Sequence, residues 1–328
     1  MVRARSATEE PFHVLQPIPN NRVLNPDAFR RRYRMTVGSR THPDRNLSTD
    51  PYIRTQIACA RTWAGSERAA SLLELLGMLA WVHSTPAGSS KVGGDVHYVS
   101  VCPGCVISRV SLADVSGHGK AVSTLSGELR RLMQRYLPQL EHDALMCDLN
   151  RAVQEGLDGV HYATMVAVGW HNERESLLLA NAGHPIPCVF EVERKEWTWL
   201  EINPEPRREW PVGVPFGLFA CADYDRTAVK LQVGDLVLLY SDGVTEATNP
   251  AGDELGPEGL MNLVRQLDCS SAESLGVQLP SALRSFRGGA EAADDEAIIV
   301  LQRVPTLVIT NPHASDFSRG FADVRSAT

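Results

Sequence analysis

The sequence is poor in lysine, in net positive charge and in long apolar runs. Lysine occurs only at positions 91, 120, 195 and 230, and 32 Lys and Arg residues against 39 Asp and Glu give a formal net charge of −7. Nucleic acids and anionic membranes are bound by surfaces with a basic excess. Neither kind of partner is therefore expected.

No segment looks like a membrane span or a leader. The longest apolar run, residues 72–82, is interrupted by Glu74 and Gly77 and falls far short of the roughly 20 residues that a span needs. Residues 1–14 contain no apolar stretch of the kind that a signal peptide carries. The seven cysteines are odd in number, and several lie in apolar runs, which favours reduced thiols. Together these features predict a soluble, cytoplasmic protein.

Two common catalytic motifs are also missing. The chain has no G-x-S-x-G elbow, which would present a nucleophilic serine. It has no G-x-x-x-x-G-K-[ST] loop, which would cradle nucleotide phosphates. The 328 residues, 43% of them hydrophobic, are nevertheless enough for a sizeable core.

Strand-like and helix-like segments follow one another through most of the chain. Strands are predicted at 78–84, 95–101, 106–114, 161–170, 176–184, 187–192, 196–202, 230–233, 235–243 and 296–304. Helices are predicted at 119–137, 140–156, 257–267 and 272–286. Runs of strands joined by short turns and interleaved with pairs of helices indicate an α+β fold with antiparallel sheets.

The two ends of the chain differ from this pattern. Residues 1–55 are expected to be a poorly ordered extension, and the polar tail 304–328 to be loosely ordered. Segment 56–77 has apolar residues at helical spacing and many small residues, which predicts an amphipathic helix. Such a helix must bury its apolar face. Residues 56–76 are therefore expected to be a linker or regulatory helix that contacts a partner protein or a second copy of the chain; the alternative is a structural helix that only covers apolar surface of the rest of the chain.

Acidic residues stand at the ends of four predicted strands. They are Asp95 after two glycines, Asp114 before a glycine-rich loop, Asp242 at the end of the most apolar strand, and the pair Asp294–Asp295 before the last strand. Each alone is more often an ordinary turn residue. Carboxylates gathered at one end of a sheet, however, repel one another unless a cation holds them. Hard oxygen ligands select Mg²⁺ or Mn²⁺.

Six segments carry a resemblance to a known family. They are GGD at 93–95, ADVSGHG at 113–119, ANAGHP at 180–185, GVPFGL at 213–218, LYSDGVTEATNPAGDELG at 239–256 and DDEAIIVL at 294–301. In this order they resemble the metal-dependent serine/threonine protein phosphatases of the PPM family, in its bacterial SpoIIE-like branch. The resemblance covers about residues 77–303, the expected phosphatase domain.

The resemblance implies an α-β-β-α sandwich, two mainly antiparallel sheets flanked by helices, with two Mn²⁺ or Mg²⁺ ions at one end. By position, Asp95 and Asp114 would bridge or flank both ions, and the backbone carbonyl of Val115 would complete one set of ligands. Asp242 and Asp294 would hold the other ion. A water shared by the ions would attack phosphorus in line, so no serine or cysteine nucleophile is needed.

Further residues are expected to support this site. They are Gly93, Gly94, Gly117, His118, Thr164, His184, Gly243 and Asp295. His118 is either a proton donor or a loop histidine, and His184 is expected to be structural within its turn. Relatives often carry a second aspartate after GGD, close to where this chain has Tyr98.

Two other motifs have simpler interpretations. CPGC at 102–105 resembles half of a zinc or redox motif, but with no second C-x-x-C it is better interpreted as a Pro-Gly turn between strands. The stretch after Asp242 resembles a calcium loop, but Val244 stands where an oxygen ligand belongs.

The resemblance implies hydrolysis of phosphoserine or phosphothreonine on a protein, with an anti-anti-sigma-type regulator of a partner-switching pathway as the expected substrate. One alternative is a catalytically weak regulatory or binding module on the same fold, against which the retention of all four aspartates argues. The other is a two-metal hydrolase of small phosphate esters, which the few Arg and Lys residues around the motifs do not favour.

Overall fold

The computed structural model describes residues 52–58, 61–88, 90–102, 106–117, 120–137, 142–156, 161–200, 213–220 and 222–306. Within these ranges the chain forms thirteen strands and five helices. The strands are β1 (Ile53–Gln56), β2 (Thr62–Glu67), β3 (Ala69–Leu75), β4 (Met78–Thr85), β5 (Val92–Val101), β6 (Ile107–Val115), β7 (Ala163–His171), β8 (Ser176–Ala182), β9 (Cys188–Glu191), β10 (Glu196–Trp199), β11 (Arg226–Val229), β12 (Leu236–Tyr240) and β13 (Glu296–Arg303). The helices are α1 (Lys120–Tyr136), α2 (His142–Gly156), α3 (Asp242–Thr245), α4 (Gly256–Val264) and α5 (Ala272–Phe286).

The strands form two sheets. Sheet A has the order β1-β3-β4-β13-β12-β9-β10, and sheet B has the order β11-β8-β7-β6-β5-β2. Apart from the parallel pairing of β1 with β3, the described strands pair antiparallel. None of the helices in the described ranges is long and apolar enough to cross a membrane.

Alternating residues of the strands build the layers of the core. In β5, Val99 belongs to the buried cluster between the two sheets, whereas Val96 and Tyr98 belong to the cluster under α1 and α2. Successive side chains of a strand point to opposite faces. Tyr98 therefore lies on the opposite face of β5 from Asp95 and supplies no group to the same site.

Each sheet is covered on its outer face by a pair of helices. Leu129 of α1 and Leu149 of α2 are fully buried in the cluster on sheet B. Leu260 of α4 and Leu279 of α5 are fully buried in the cluster on sheet A. This is the α-β-β-α sandwich expected from the sequence, and the fold prediction is confirmed.

The helix predicted at 56–77 is wrong. This stretch contains the end of β1 and all of β2 and β3, with β2 at the edge of sheet B and β3 inside sheet A. Leu72 is buried toward the helices and Leu73 toward the other sheet. Because both faces of β3 are covered, its apolar residues are consecutive, and periodicity does not separate such a strand from a helix.

The glycine at position 77 is the feature of the sequence that argued against a helix, because it forms the turn of a hairpin. Gly77 has φ +76° between β3 and β4, which pair as a hairpin from Leu75–Met78 to Ala69–Ser84. Glycine adopts this left-handed backbone at little cost. The sheets therefore begin near Ile53 rather than at residue 77, and a partner contact through a helix at 56–76 has no structural basis.

Most other predicted elements are found, with local shifts. The strand predicted at 230–233 is wrong, because the chain pairs with β8 slightly earlier, at β11. Residues 1–51 and 307–328 lie outside the described residues, and so do the middle and end of CPGC, from 103 to 105. Cys102 itself is buried, and its backbone N–H donates to the Ile107 carbonyl at 2.9 Å.

Candidate metal centre

The antiparallel pairing of strands brings the aspartates to one end of both sheets. In sheet B, Val96 pairs with Ala113, so Asp95 and Asp114 lie side by side on the face toward sheet A. In sheet A, Tyr240 pairs with Ile298, so Asp242 after β12 and Asp294 before β13 emerge at the same end. Asp95, Asp114, Asp242 and Asp294 are called the carboxylate cluster below.

The carboxylates of this cluster repel one another. The pKa of Asp114 is raised to about 8 by burial, and then by the charges of Asp242, Asp294 and Asp295. Burial is also the main cause that raises the pKa of Asp242, followed by the charge of Asp294. Groups on different sheets thus affect each other, which means that they face a common space.

Asp95 is the most deeply placed member of the cluster. Burial, followed by the charge of Asp114, raises its pKa well above the ordinary value, and the nearby Ser241 hydroxyl opposes that shift. Its Oδ2 atom is buried and has no hydrogen-bond partner. An unpaired buried carboxylate oxygen is costly, and a cation would satisfy it.

The residues therefore fit a divalent metal in their chemistry. All the donors are carboxylate oxygens, which suit Mg²⁺ or Mn²⁺ better than zinc. In the part of the chain that the structure describes, no three acidic, histidine or cysteine side chains are close enough together to enclose an ion. The carboxylates of the cluster are thus close enough to shift one another's pKa, but they are too far apart for any three of them to coordinate one ion together.

Asp294 and Asp295, although adjacent, are placed differently. The Asp295 carboxylate accepts hydrogen bonds from the backbone N–H groups of Ala87, at 2.6 Å, and of Gly94. A Cβ atom on Gly93 would lie 2.7 Å from the Asp295 carboxyl carbon, so this approach requires glycine. Asp295 therefore holds the β4–β5 loop and β5 close to the start of β13 through hydrogen bonds.

The start of α3 packs against the same turn. A side chain on Gly243 would collide with the backbone carbonyl of Asp295. The Ser241 hydroxyl accepts a hydrogen bond from the Ala297 N–H at 2.9 Å. The sequence predicts strand up to residue 243, but the chain turns into α3 at Asp242, which leads it away from the sheet at the cluster.

Thr164 lies next to Asp114 in sheet B, and His184 is hydrogen-bonded to Thr164. Thr164 is the cross-strand partner of Asp114 in sheet B, and its Oγ1 is hydrogen-bonded to His184 Nδ1 at 2.8 Å. Burial lowers the pKa of His184 to about 3, so the ring is neutral at physiological pH. The side-chain amide of Asn181 bonds both the N–H and the carbonyl of His184, at 2.7 and 2.9 Å.

The other expected positions are placed as follows. Val115 ends β6 and is buried, and Gly117 lies just beyond it with φ +102°. His118 lies outside the described residues. The roles of these positions as ligands or supports remain predictions.

Sequence reasoning missed Ser126. This residue of α1 is buried, and its hydroxyl donates to the Gly93 carbonyl at 2.9 Å. It lies on the buried face of α1 with Val122 and Leu129, and a polar residue in such an apolar stripe was the available signal.

Comparison with known proteins identifies the family of the chain. The family described as Stage II sporulation protein E (SpoIIE) matches residues 108–304, which is more than half of the chain. Phosphoserine phosphatase RsbU of Bacillus subtilis (strain 168) is 26% identical over 197 residues, which are 60% of this chain and 55% of the relative. The chain thus spans about half the length of that relative.

Two solved structures share the fold. The RsbU and RsbW domains of Rv1364c from Mycobacterium tuberculosis align with a TM-score of 0.58 and 20% identity, over 71% of this chain and 63% of that one. RsbX in complex with magnesium aligns with a TM-score of 0.50 and 14% identity, over 71% of this chain and 98% of that one.

Proposed function

Since this chain belongs to the SpoIIE family, we propose that it is a metal-dependent phosphatase that hydrolyses phosphoserine or phosphothreonine on a protein. The observation that carries the proposal is the carboxylate cluster, in which the charge of Asp242 at the end of sheet A helps to raise the pKa of the buried Asp95 and the half-buried Asp114 of sheet B, and Asp95 Oδ2 has no hydrogen-bond partner. Such an arrangement is costly in a folded protein unless it binds a cation.

Two Mn²⁺ or Mg²⁺ ions are the proposed cofactors. Asp95, Asp114, Asp242, Asp294 and the Val115 carbonyl would hold them. When bound, such ions lower the pKa of water and neutralise charge on a phosphoryl group. RsbX, which has the same fold, was crystallised with magnesium, and this supports the proposal.

The remaining residues hold the ligands in place. Asp295 fixes the β4–β5 loop and the start of β13 through Ala87 and Gly94. Thr164, itself held by His184, stands beside Asp114. These neutral or already bonded groups add no net positive charge, so the negative charge of the cluster stays available to a cation.

The proposed substrate is a phosphorylated anti-anti-sigma-type regulator in a partner-switching pathway. The support is the relative RsbU, whose name specifies a phosphoserine phosphatase. The few Arg and Lys residues around the sequence motifs also favour a phosphoprotein over a small phosphate ester, because a free anion needs basic side chains to hold it.

The test is phosphate release from a phosphoserine peptide and from p-nitrophenyl phosphate, with Mn²⁺, with EDTA, and with Mn²⁺ restored after EDTA. The expected result is hydrolysis of the peptide that EDTA abolishes and Mn²⁺ restores. Hydrolysis that EDTA leaves unchanged would contradict the metal site. Hydrolysis of the small ester alone would favour the small-ester alternative, and metal binding without turnover would favour the binding module.

A further inference from the structure

Large apolar side chains remain exposed beside the carboxylate cluster. Tyr162, Leu218 and Phe219 are 38%, 48% and 45% exposed. Tyr162 is fixed to the end of β6, because its carbonyl accepts from the Ser116 N–H at 2.9 Å and its N–H donates to the Ser116 hydroxyl at 3.0 Å. Ser116 is only two residues beyond Asp114.

The chain around Leu218 is attached to the same part of sheet B. Phe216 is buried, and its backbone exchanges hydrogen bonds of 2.7 and 3.0 Å with Ala163, the cross-strand partner of Val115. A Cβ atom on Gly217 would lie 3.7 Å from the Cα atom of Tyr162. Tyr162, Leu218 and Phe219 therefore border one surface, called the apolar rim below.

One buried side chain holds the rim rigid. Asn150 of α2 is 2% exposed; its Nδ2 donates to the Phe219 carbonyl at 2.9 Å, and its Oδ1 accepts from the Gly217 N–H at 2.9 Å. The backbone is thus clamped on both sides of Leu218. A backbone that is already fixed loses little conformational entropy when it binds a partner.

We propose that the apolar rim docks the polypeptide of the substrate by contacting apolar residues that flank the phosphorylated one, and that Asn150 is its positioning residue. This inference rests on the proposed phosphatase function. Because Tyr162 is hydrogen-bonded to Ser116, two residues from Asp114, the rim is continuous with the site.

The chemistry of the rim also favours a polypeptide. Residues 213–220, GVPFGLFA, contain no charged side chain, so they offer no cation to the phosphate itself. Exposed apolar patches mark interaction sites, and binding energy is concentrated in a few large, often aromatic, side chains. The rim therefore selects by the residues around the phosphate.

Two phosphoserine peptides of equal length and charge test the proposal. One has leucine and valine on both sides of phosphoserine, and the other has serine and glycine there. The readout is the ratio of their kcat/KM values with Mn²⁺, in which any change in the chemical step common to both peptides cancels.

The wild-type chain should prefer the apolar peptide. The double variant Leu218→Ser with Phe219→Ser should lower the ratio about 10-fold, because a tenfold change corresponds to about 1.4 kcal/mol of lost contact. Asn150→Ala should lower it with both apolar side chains still present. Val277→Ser is the matched control, since Val277 is 43% exposed on α5 over the other sheet, and it should keep the wild-type ratio.

A wild-type ratio near one, or an unchanged ratio in the double variant, would contradict the proposal that the apolar rim docks the substrate. A wild-type dimer that the double variant converts to a monomer in light scattering would assign the rim to self-association instead. Failure of the proposed function is visible separately, because the wild-type chain would then release no phosphate from either peptide.

Discussion

The carboxylate of Asp295 accepts a hydrogen bond from the backbone N–H of Ala87 at 2.6 Å, across 208 positions of the sequence. The second oxygen of the same group accepts from Gly94, directly before Asp95. Within the described part of the chain, the neighbouring Asp294 accepts with Oδ1 from the N–H of Asp295, at 2.7 Å, and from no other donor. Two adjacent aspartates thus have different tasks, one structural and one open to a ligand.

Asp295→Asn should destabilise the fold. An amide can present only one acceptor oxygen, so its NH₂ group would face a backbone N–H that now lacks a partner. The expected cost is about 1–3 kcal/mol of unfolding free energy, measured by urea denaturation of the metal-free protein. Asp294→Asn is the matched control and should cost little, while weakening Mn²⁺ binding in calorimetric titration. Equal stability of the two variants would contradict the assignment.

Asp114→Asn and Asp242→Asn should each abolish phosphatase turnover without unfolding the chain. The substitution keeps the volume of the side chain but removes charge from the cluster. The loss of activity should exceed the roughly 10–100-fold that removal of an outer partner of a metal ligand costs. The unfolding midpoint of the metal-free protein should not fall, because repulsion is relieved. Near wild-type turnover of either variant at saturating Mn²⁺ would show that the ligand assignment is wrong.

Arg287→Met should strongly destabilise the protein through Glu296. Arg287 and Glu296 form a buried ion pair at the start of β13, and burial raises the pKa of Glu296 while Arg287 lowers it. Removing one partner of a buried pair leaves an uncompensated charge and costs about 3–5 kcal/mol. Thermal and urea unfolding measure the loss.

The double change Arg287→Met with Glu296→Leu is the control for that experiment. It removes both charges and should recover most of the stability. A double variant that is no more stable than Arg287→Met would mean that packing, rather than the unpaired carboxylate, causes the loss.

His83 should make the fold sensitive to mild acid. Burial, with a smaller effect of Arg68, lowers its pKa from 6.5 to about 4. The folded state thus favours the neutral ring, so the stability that this group contributes is present above pH 6.5 and is lost as pH falls toward 4. The loss at pH 5 is at most about 2 kcal/mol.

His83→Gln removes this titration. Urea unfolding at pH 7 and pH 5 should therefore show a smaller loss for the variant than for the wild-type chain. The same pH difference in His83→Gln and the wild-type chain would contradict the assignment to His83.

The sequence by itself determined the strand-end aspartates, the family motifs and most of the strands and helices. These features are local. A short apolar strand bounded by turns, such as β7, and an amphipathic helix, such as α1, each leave a pattern in consecutive residues. A carboxylate that ends an apolar strand is visible from the chain alone.

Only the tertiary structure decided the secondary structure of residues 56–77 and the different roles of Asp294 and Asp295. In β3, Leu72 and Leu73 are buried on opposite faces, so the apolar pattern has no period that identifies a strand. Asn150 is hydrogen-bonded to the backbone of Gly217 and Phe219, about 70 residues away. Asp295 is hydrogen-bonded to the backbone of Ala87 and Gly94, about 200 residues away. Hydrogen-bond partners so distant in sequence are set by the packing of the sheets, and no local pattern encodes them.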